Sequence, residues 1–286
     1  MCSYLMSETG WRNFGVTRLA NMVNVDSQNA GVLVERHEHV AYIKIDRPEK
    51  RNALTQAMWA AIPPMIDQLN SDLSIRLIVV GSSSPGVFSA GADIGEYRHH
   101  VGDLEWGADS QRVVGAALAA VAQAHAPTLA AIDGPCFGGG AGIAVACDFR
   151  IATRSATFAI TPAKLGMVYE FGALVALVDL VGPAQAKKIL FTGETFDATQ
   201  AERMGFVDSV VGDSDLEAAT EAFAAGLVKT SGMSARIMKE AIQRIMSGHR
   251  EECAETDEFV NRALRSADYH EGVSAFIERR PPVFES

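Results

Sequence analysis

Two glycine-bearing turns carry the strongest chemical signal in the sequence. The first reads FSAGADI at residues 88–94, and the second reads FGGGAG at residues 137–142. Each turn follows a strand pattern and precedes a helix pattern, so its N–H groups stand at a helix N-terminus, where no helical carbonyl accepts them. Small residues at such a place let a ligand approach the backbone closely. Both turns are therefore candidate binding sites for an electron-rich group.

Neither turn is a nucleotide-binding loop. The triple glycine is not followed by the Gly-Lys-Ser/Thr ending of a P-loop, and Ile143 stands where a dinucleotide fingerprint needs its last glycine. Two interpretations of the triple glycine stay open: a helix N-terminus that binds negative charge, and a tight turn that packing requires. In the first turn, Asp93 with Glu96 predicts an N-cap for a helix that begins at Ile94.

An oxyanion hole results if the N–H groups of the two turns converge on one point. One donor in such a site typically contributes ~2.7–4 kcal/mol to the stabilisation of a transition state. An acyl thioester is a natural ligand, because the oxygen of its enolate needs this stabilisation. The two turns together therefore predict enolate chemistry on a thioester.

The hydrophobic pattern predicts alternating strands and helices up to residue 211, as in an α/β protein. A helix predicted at residues 55–70 contains Pro63 and Pro64, which should kink or split it. Gly182 and Pro183 should end another helix. The predicted strands include residues 32–36, 40–45, 77–80, 128–132, 149–152 and 157–160.

Beyond residue 211 only helical patterns remain. We therefore divide the chain into a loose N-terminal tail at residues 1–29, a core at residues 30–212 and a helical domain at residues 213–286. The tail lacks the apolar segment of a secretory signal. No apolar run reaches the roughly 18 residues that a membrane span needs, so we expect none.

Charge and cysteine content argue against several partner classes. The 286 residues carry a net charge of −10, which disfavours nucleic acid and anionic membranes, because phosphate binding needs a basic face. The four cysteines have neither paired nor zinc-ligand spacing. They are Cys2, Cys136, Cys147 and Cys253. We therefore expect reduced thiols in a cytoplasmic protein and no metal site.

Residues 31–286 resemble the crotonase family, also called the enoyl-CoA hydratase/isomerase superfamily. Each matching motif is short, and their order along the chain gives the resemblance its specificity. Besides the two turns, the set comprises IDRP at 45–48, RNAL at 51–54, IDG at 132–134, ACD at 146–148, LG at 165–166, TG at 192–193, FDA at 196–198, GFV at 205–207, AF at 275–276 and RRP at 279–281.

The resemblance implies a spiral of ββα units followed by a helical domain that drives trimerisation, often as a dimer of trimers. It implies an acyl-CoA thioester as substrate, with coenzyme A entering as part of that substrate and no separate cofactor. In the family pattern the N–H groups of Ala92 and Gly139 hold the thioester oxygen. The expected acyl-CoA contacts are Arg51, Ala90, Ala92, Asp93, Ile94, Gly138, Gly139, Phe276 and Arg279.

Two departures from the family pattern bear on the reaction. Family hydratases position and deprotonate water with two glutamates, and those positions fall here on Gly142 and Pro162. Neither residue can transfer a proton. General acid–base catalysis of this kind supplies roughly 10²–10⁴-fold for each group. Hydration by the usual two-carboxylate mechanism is therefore disfavoured.

Glu170 and Tyr169 are the candidate replacements. Glu170 matches a catalytic aspartate of dienoyl-CoA isomerases and of an aroyl-CoA dehalogenase in the family, and Tyr169 matches a tyrosine of the methylmalonyl-CoA decarboxylases. Those decarboxylases carry a histidine where Ala92 stands, so the match is partial. A carboxylate in an apolar pocket could act as a base. The alternative is that Glu170 is a structural carboxylate at the start of a helix.

Several neighbouring side chains have a structural and a functional interpretation. Tyr97, Trp106 and Phe171 are candidates for the wall of an acyl pocket, although ordinary packing also explains them. We expect the pair His99 and His100 at the surface, and Glu105 as a solvated loop charge.

The sequence therefore supports two functions of different classes. The first is an enzyme that stabilises a thioester enolate, with isomerase or decarboxylase chemistry favoured over hydration because Glu170 and Tyr169 remain. The second is a non-catalytic acyl-CoA-binding or scaffold protein on the same fold, motivated by the absence of both hydratase glutamates.

Overall fold

The structure, a computed structural model, describes residues 31–284, so the tail predicted at residues 1–29 lies outside it. Strands and helices alternate up to the last strand, and four helices follow. The strands are β1 (Val32–His37), β2 (Val40–Ile45), β3 (Leu77–Ser82), β4 (Thr128–Ile132), β5 (Pro135–Phe137), β6 (Phe149–Thr153), β7 (Thr157–Ala159), β8 (Phe196–Asp197) and β9 (Ser209–Val211). The helices are α1 (Gln56–Asn70), α2 (Ile94–Tyr97), α3 (Leu104–Ala122), α4 (Gly139–Ala146), α5 (Phe171–Thr192), α6 (Ala198–Arg203), α7 (Leu216–Val228), α8 (Gly232–Met246), α9 (Ala254–Leu264) and α10 (Ala267–Glu278).

The strands form two sheets, and the chain passes between them from β4 onward. The larger sheet has the order β1-β2-β3-β4-β6-β9, and the smaller has the order β5-β7-β8. β1 and β2 pair antiparallel, whereas every other pair in the larger sheet is parallel. From β4 to β7 the chain moves between the sheets three times, and a helix follows each of the pairs β4-β5 and β6-β7. This arrangement is the spiral of ββα units that the family resemblance implies.

Both faces of the larger sheet are covered. In β3, Ile78 and Val80 face the main core, and Leu77 and Val79 face a second core beneath α7. Alternation of side chains along a strand explains why this strand is apolar at consecutive positions. Because α7 packs on the sheet, the first helix after residue 211 covers the core directly.

α1 runs without interruption through Pro63 and Pro64, so the predicted split is wrong, and the kink stays a prediction. The helix buries Met58, Trp59 and Ile62 on one face. This burial stabilises the helix enough to offset the two backbone hydrogen bonds that the prolines cannot donate. Thr55 caps the helix by accepting from the Met58 N–H at 3.2 Å.

α3 begins earlier than the alanine-rich sequence at residues 116–124 indicates. Asp103 caps it by accepting from the Trp106 N–H at 3.0 Å, and Glu105 lies in its first turn, so the loop position expected for Glu105 is wrong.

In α5 the helical conformation breaks at Gly182, with φ 73° and ψ 161°, as the Gly182-Pro183 pair predicts.

The C-terminal helices are tied to the core by a buried ion pair. Lys239 of α8 donates to the Asp148 carboxylate at 2.7 Å and to the Ala126 carbonyl at 3.2 Å. Asp148 also accepts from the Thr128 N–H at 2.7 Å.

Within residues 31–284, no helix combines the length and apolar character needed to cross a membrane.

Candidate active site

The two glycine-bearing turns meet backbone to backbone. One isolated β-bridge, between Ser89 and Cys136, joins the first turn to the strand before the second, and another, between Leu54 and Ala92, joins the first turn to the segment before α1. The Ser89 N–H donates to the Pro135 carbonyl at 3.0 Å, and its carbonyl accepts from the Phe137 N–H at 2.9 Å. These bonds fix the first turn against the strand that leads into α4, so the two turns cannot move independently.

Glycine is required on both sides of this junction. A Cβ on Gly91 would lie 2.8 Å from the Phe137 carbonyl oxygen, and one on Gly140 would lie 2.7 Å from the Ser89 Cβ. A Cβ on Gly139 would lie 2.6 Å from Cζ2 of Trp59, a fully buried ring. Packing alone therefore explains the triple glycine. The same absence of side chains leaves the N–H groups accessible, so the two interpretations of this turn are compatible.

The structure brings the two predicted oxyanion donors together. In the bridge to Leu54, the Leu54 N–H donates to the Gly91 carbonyl and the Leu54 carbonyl accepts from the Asp93 N–H. Ala92 takes part with neither main-chain group, so its N–H faces away from Leu54. Gly139 is the first residue of α4, where an N–H has no helical acceptor. The Ala92 nitrogen lies 3.5 Å from the position of a Cβ on Gly139. Neither N–H donates a hydrogen bond within the described residues.

Asn52 holds the first turn from behind. It is fully buried and adopts a left-handed φ of 56°, a conformation that asparagine tolerates better than most residues. Its side-chain amide donates to Ser82 Oγ at 2.7 Å and to the Val87 and Phe88 carbonyls at 3.2 Å each. One side chain thus joins three positions on the strand and turn that precede Ala92.

Asp93 is the N-cap of α2, as the sequence predicts, and it also forms an ion pair. Its carboxylate accepts from the Gly95 N–H at 2.8 Å and from the Arg47 guanidinium at 2.7 Å. The hydrogen bond from Arg47 is the largest cause that lowers the Asp93 pKa. Glu96 accepts from the Gln56 N–H at 2.8 Å and thereby links α2 to α1. Asp93 has a structural role in this site.

Tyr169 lies against the second turn. Its hydroxyl donates to the Gly138 carbonyl at 3.0 Å. The same hydroxyl would lie 2.8 Å from a Cβ on Gly142. Burial raises the pKa of the Tyr169 hydroxyl well above its ordinary value, so this group stays a protonated donor. The space next to Gly142 is therefore occupied by the tyrosine hydroxyl.

Glu170 is both a helix cap and part of a cavity wall. One carboxylate oxygen accepts from the Gly172 N–H at 2.9 Å and the other accepts from the Ala173 N–H at 2.8 Å. The structure therefore confirms that Glu170 is a carboxylate at the start of a helix, α5. Its carboxylate also faces Gly115 of α3, where a Cβ would lie 3.2 Å from an oxygen. Each oxygen retains acceptor capacity beyond its one cap bond.

A cavity of about 950 Å³ lies between the start of α5 and the face of α3, and Ile94 at the end of the first turn is part of its lining. Glu170 is the one carboxylate among its lining residues, and Arg112 is the one permanent cation. Most of the other side chains are apolar or aromatic. The lining residues are Ile94, Tyr97, His100, Val101, Trp106, Gly107, Gln111, Arg112, Gly115, Leu165, Met167, Val168, Tyr169, Glu170 and Phe171.

Aromatic rings form one wall of this cavity. The His100 ring stacks on Trp106 with centroids 4.3 Å apart, and Tyr97 meets Trp106 edge-on at 4.9 Å. Tyr97, Trp106 and Phe171 all line the cavity, and their role as walls of an acyl pocket stays a prediction. The His100 side chain is 37% exposed, and one face of its ring packs on Trp106 in the cavity wall.

One face of α3 forms part of the cavity wall, as a stripe of two glycines with Gln111 between them. Gly107, Gln111 and Gly115 recur every four residues, so they lie along one face of the helix, and all three line the cavity. The four-residue spacing of the stripe is visible in the sequence, yet no motif points to it as part of a site. Trp59 is likewise absent from the predicted site residues, and its contact with Gly139 has no signature in the sequence.

Of the predicted acyl-CoA contacts, Ile94 alone is among the residues that line the cavity. Phe276 is 86% exposed on α10, and Arg279 caps the end of the same helix with φ 56°. Neither lines the cavity of the single chain. Arg51 is exposed beside the first turn, where its carbonyl accepts from the Ala90 N–H at 2.9 Å. Their roles toward coenzyme A stay predictions.

Comparison with known proteins agrees with this architecture. A family model described as enoyl-CoA hydratase/isomerase matches residues 35–286. The chain is 31% identical over 260 residues to crotonyl-CoA hydratase of Syntrophomonas wolfei, covering 89% of this chain and 98% of the relative. It is 34% identical to an enoyl-CoA hydratase/isomerase family protein from Hyphomonas neptunium of known crystal structure, with a TM-score of 0.87, covering 90% of this chain and 98% of that one.

We expect Asp93→Asn to lower the free energy of unfolding by about 1–2 kcal/mol at pH 7, because asparagine keeps the cap but loses the ion pair with Arg47. The Asp93 pKa is lowered in the folded protein, so its contribution is present above the unfolded value of 3.8 and disappears as the pH falls through the lower folded value. Urea unfolding of both proteins between pH 7 and pH 3 measures this difference, which should shrink only at the acid end.

Asp109→Asn is the control for this measurement, because Asp109 pairs with Arg112 at an exposed position. We expect this change to cost less than about 0.5 kcal/mol. Equal losses in the two variants would contradict the role given to the Arg47–Asp93 pair.

Proposed function

Because the chain belongs to the enoyl-CoA hydratase/isomerase family, we propose that it moves a carbon–carbon double bond within an acyl-CoA thioester. The observation that carries this proposal is the position of Glu170. Glu170 is the one carboxylate among the residues that line the cavity. The preceding residue, Tyr169, donates a hydrogen bond to Gly138 in the turn that also holds Gly139. A proton acceptor beside an oxyanion hole is the arrangement that enolate formation requires.

The reaction needs one base and one charge-stabilising site. Glu170 takes a proton from the carbon between the thioester carbonyl and a β,γ double bond, and the C–H electron pair becomes part of a conjugated enolate. The N–H groups of Ala92 and Gly139 stabilise the negative oxygen. Glu170 then returns the same proton to the γ carbon, which leaves the double bond conjugated with the carbonyl. Atoms and charge balance without water, a metal ion or a further cofactor.

Hydration is less well supported by this site. The positions of the two hydratase glutamates carry Gly142 and Pro162. The Tyr169 hydroxyl fills the space beside Gly142, 2.8 Å from where a Cβ would lie. A water molecule that must be activated by two carboxylates has one carboxylate available among the lining residues.

Decarboxylation is the related reaction that the same enolate would serve. It requires a site for a second carboxylate on the substrate. Arg112 is the one permanent cation in the lining, and it already pairs with Asp109. The apolar character of the remaining wall therefore favours double-bond isomerisation over decarboxylation.

A non-catalytic acyl-CoA-binding protein is the second candidate function. It is favoured by the two cap bonds that Glu170 makes to Gly172 and Ala173, since a cap needs no catalytic role. Binding of an acyl-CoA without turnover of any unsaturated thioester would support this alternative. Turnover that depends on Glu170 would exclude it.

The acyl group that fits this cavity is long and apolar. The cavity volume of about 950 Å³ is near the upper end of the range of small-molecule sites. The stripe from Gly115 to Gly107 runs away from Glu170 for about 12 Å, at 1.5 Å per helical residue. Nothing lies within 4 Å of the Cβ position of Gly107. We therefore place the acyl chain along α3, with its tail at Gly107.

The active form is proposed to be a trimer built through the C-terminal helices. Large apolar side chains are exposed on α8, α9 and α10, and burial of such a surface drives association. They include Met238, Ile242, Ile245, Val260, Leu264, Val273, Phe276 and Ile277. Sedimentation equilibrium should give a mass of three chains, or six for a dimer of trimers. A monomer at micromolar concentration would contradict this proposal.

Glu170→Gln should lower the turnover of a β,γ-enoyl-CoA by roughly 10²–10⁴-fold, because an amide cannot accept the proton. The measurement is the rise in absorbance of the conjugated product, with thermal unfolding recorded alongside. The amide oxygen can still accept one of the two cap bonds, so we expect the variant to fold.

Asp197→Asn is the matched control for the loss of a capping carboxylate. Asp197 caps α6, accepts from the Gln200 N–H at 2.8 Å, and lies outside the cavity lining. We expect parental turnover from this variant. If Glu170→Gln also retains parental turnover, Glu170 is not the base.

Gly107→Phe should shorten the range of acyl groups accepted. The added ring occupies the space at the far end of the stripe. We expect kcat/KM for a β,γ-unsaturated decenoyl-CoA to fall at least tenfold, in line with the effect of small steric changes in apolar pockets, while a butenoyl-CoA is hardly affected.

Gly226→Phe is the matched control, because it adds the same ring at a position outside the cavity lining. Gly226 is an exposed position of α7, and nothing lies within 4 Å of its Cβ position either. Loss of both substrates in Gly107→Phe, or of neither, would contradict the placement of the acyl chain along α3.

A further inference from the structure

We propose that Tyr169 is a positioning residue that fixes and strengthens the Gly139 N–H as an oxyanion donor. This inference rests on the proposed function. The Tyr169 hydroxyl donates at 3.0 Å to the carbonyl of Gly138. That carbonyl and the Gly139 N–H belong to the same planar peptide unit, and the structure has no cis peptide bond within the described residues. They therefore point in opposite directions, and a bond at one end sets the direction of the other.

This peptide unit needs an external restraint because its neighbours are glycines. Gly138 has φ 50° and ψ −114°, a conformation that L side chains rarely adopt. No Cβ on either side limits rotation of the peptide plane. The Gly138 carbonyl accepts from the Gly142 N–H at 3.0 Å, which is the first bond of α4, and Tyr169 is its second donor. Together the two donors fill both lone-pair directions of the oxygen.

Two donors on the carbonyl oxygen also polarise the peptide. Withdrawal of electron density at the oxygen increases the partial positive charge of the N–H at the other end, as in cooperative chains of hydrogen bonds. The buried hydroxyl remains protonated, because burial raises its pKa well above the ordinary value. Its single proton is committed to Gly138, so Tyr169 acts through the peptide and does not exchange protons with the substrate.

Gly142 provides the space in which the hydroxyl lies. A Cβ on Gly142 would be 2.8 Å from the tyrosine oxygen, closer than real side-chain contacts allow, whereas its next contact, with Leu118 at 3.4 Å, is an ordinary one. Any side chain at position 142 therefore displaces the hydroxyl from Gly138. The two positions form a coupled pair, and this coupling provides the test.

The experiment reads the oxyanion site directly and without turnover. Octanoyl-CoA labelled with ¹³C at the thioester carbonyl is bound to the parent, Tyr169→Phe, Gly142→Ala and the double variant, and the carbonyl stretch is followed by isotope-edited infrared spectroscopy. In the parent, we expect the stretch to lie below its frequency in water, since hydrogen bonds weaken the C=O bond. In Tyr169→Phe and in Gly142→Ala, it should move part of the way back.

The kinetic readout uses the same variants with an isomerisable β,γ-enoyl-CoA. We expect Tyr169→Phe to lower kcat about tenfold, corresponding to about 1.4 kcal/mol, with KM within about twofold, because the lost stabilisation belongs to the transition state. Gly142→Ala should resemble it. The double variant should be no worse than Tyr169→Phe alone, since phenylalanine leaves room for the added methyl group. Tyr269→Phe, an exposed position on α10, is the control.

The outcomes separate this inference from the proposed function. A parental carbonyl shift that both single variants retain in full overturns the positioning role and leaves the oxyanion hole intact. Additive losses in the double variant also overturn it, because they show that the two positions act independently. The absence of any shift in the parent overturns the proposed function itself.

Discussion

Main chain packs directly against main chain where residues 88–93 cross the strand that leads into α4, and most of the site depends on this approach. At this distance a Cβ on Gly91 would meet the Phe137 carbonyl, whereas Gly139 and Gly140 leave room for the side chains of Trp59 and Ser89. The β-bridges through Ser89 and Leu54 then satisfy most of the main-chain N–H and C=O groups where the segments meet. The N–H groups of Ala92 and Gly139 are among those left without an acceptor in the described residues, so the packing that excludes side chains also leaves this pair of donors accessible.

The requirements of the site prevail over local propensity at several positions. Glycine inside a helix costs roughly 0.5–1 kcal/mol relative to alanine, and α3 carries Gly107 and Gly115 on the cavity face. The helix persists because its other face buries Leu118 and Val121 against the core. Gly115 in turn leaves room for the Glu170 carboxylate. Empty volume and access for a carboxylate are thus obtained at the expense of helix stability.

Local signals in the sequence predicted those parts of the molecule that depend on local physics. The strand pattern at residues 40–45, the cap at Asp93 and the break at Gly182 depend on side-chain period, short-range hydrogen bonding and backbone freedom, and the structure has all three. The continuity of α1 through Pro63 was not predictable, since tertiary burial decides it. The contact between Trp59 and Gly139 joins residues eighty positions apart, and no pattern within either segment encodes it.

The two proposed charge-stabilising donors are main-chain atoms, and this has a consequence for how such a protein can change over generations. A single codon change replaces a side chain but leaves an N–H in place at every residue except proline. Lineages carrying this scaffold can therefore exchange the acids, bases and hydrophobic groups around the cavity while inheriting the anion-binding element intact. New reactions on the same kind of thioester then require few mutations, whereas abandonment of that kind of ligand requires the rebuilding of two loops.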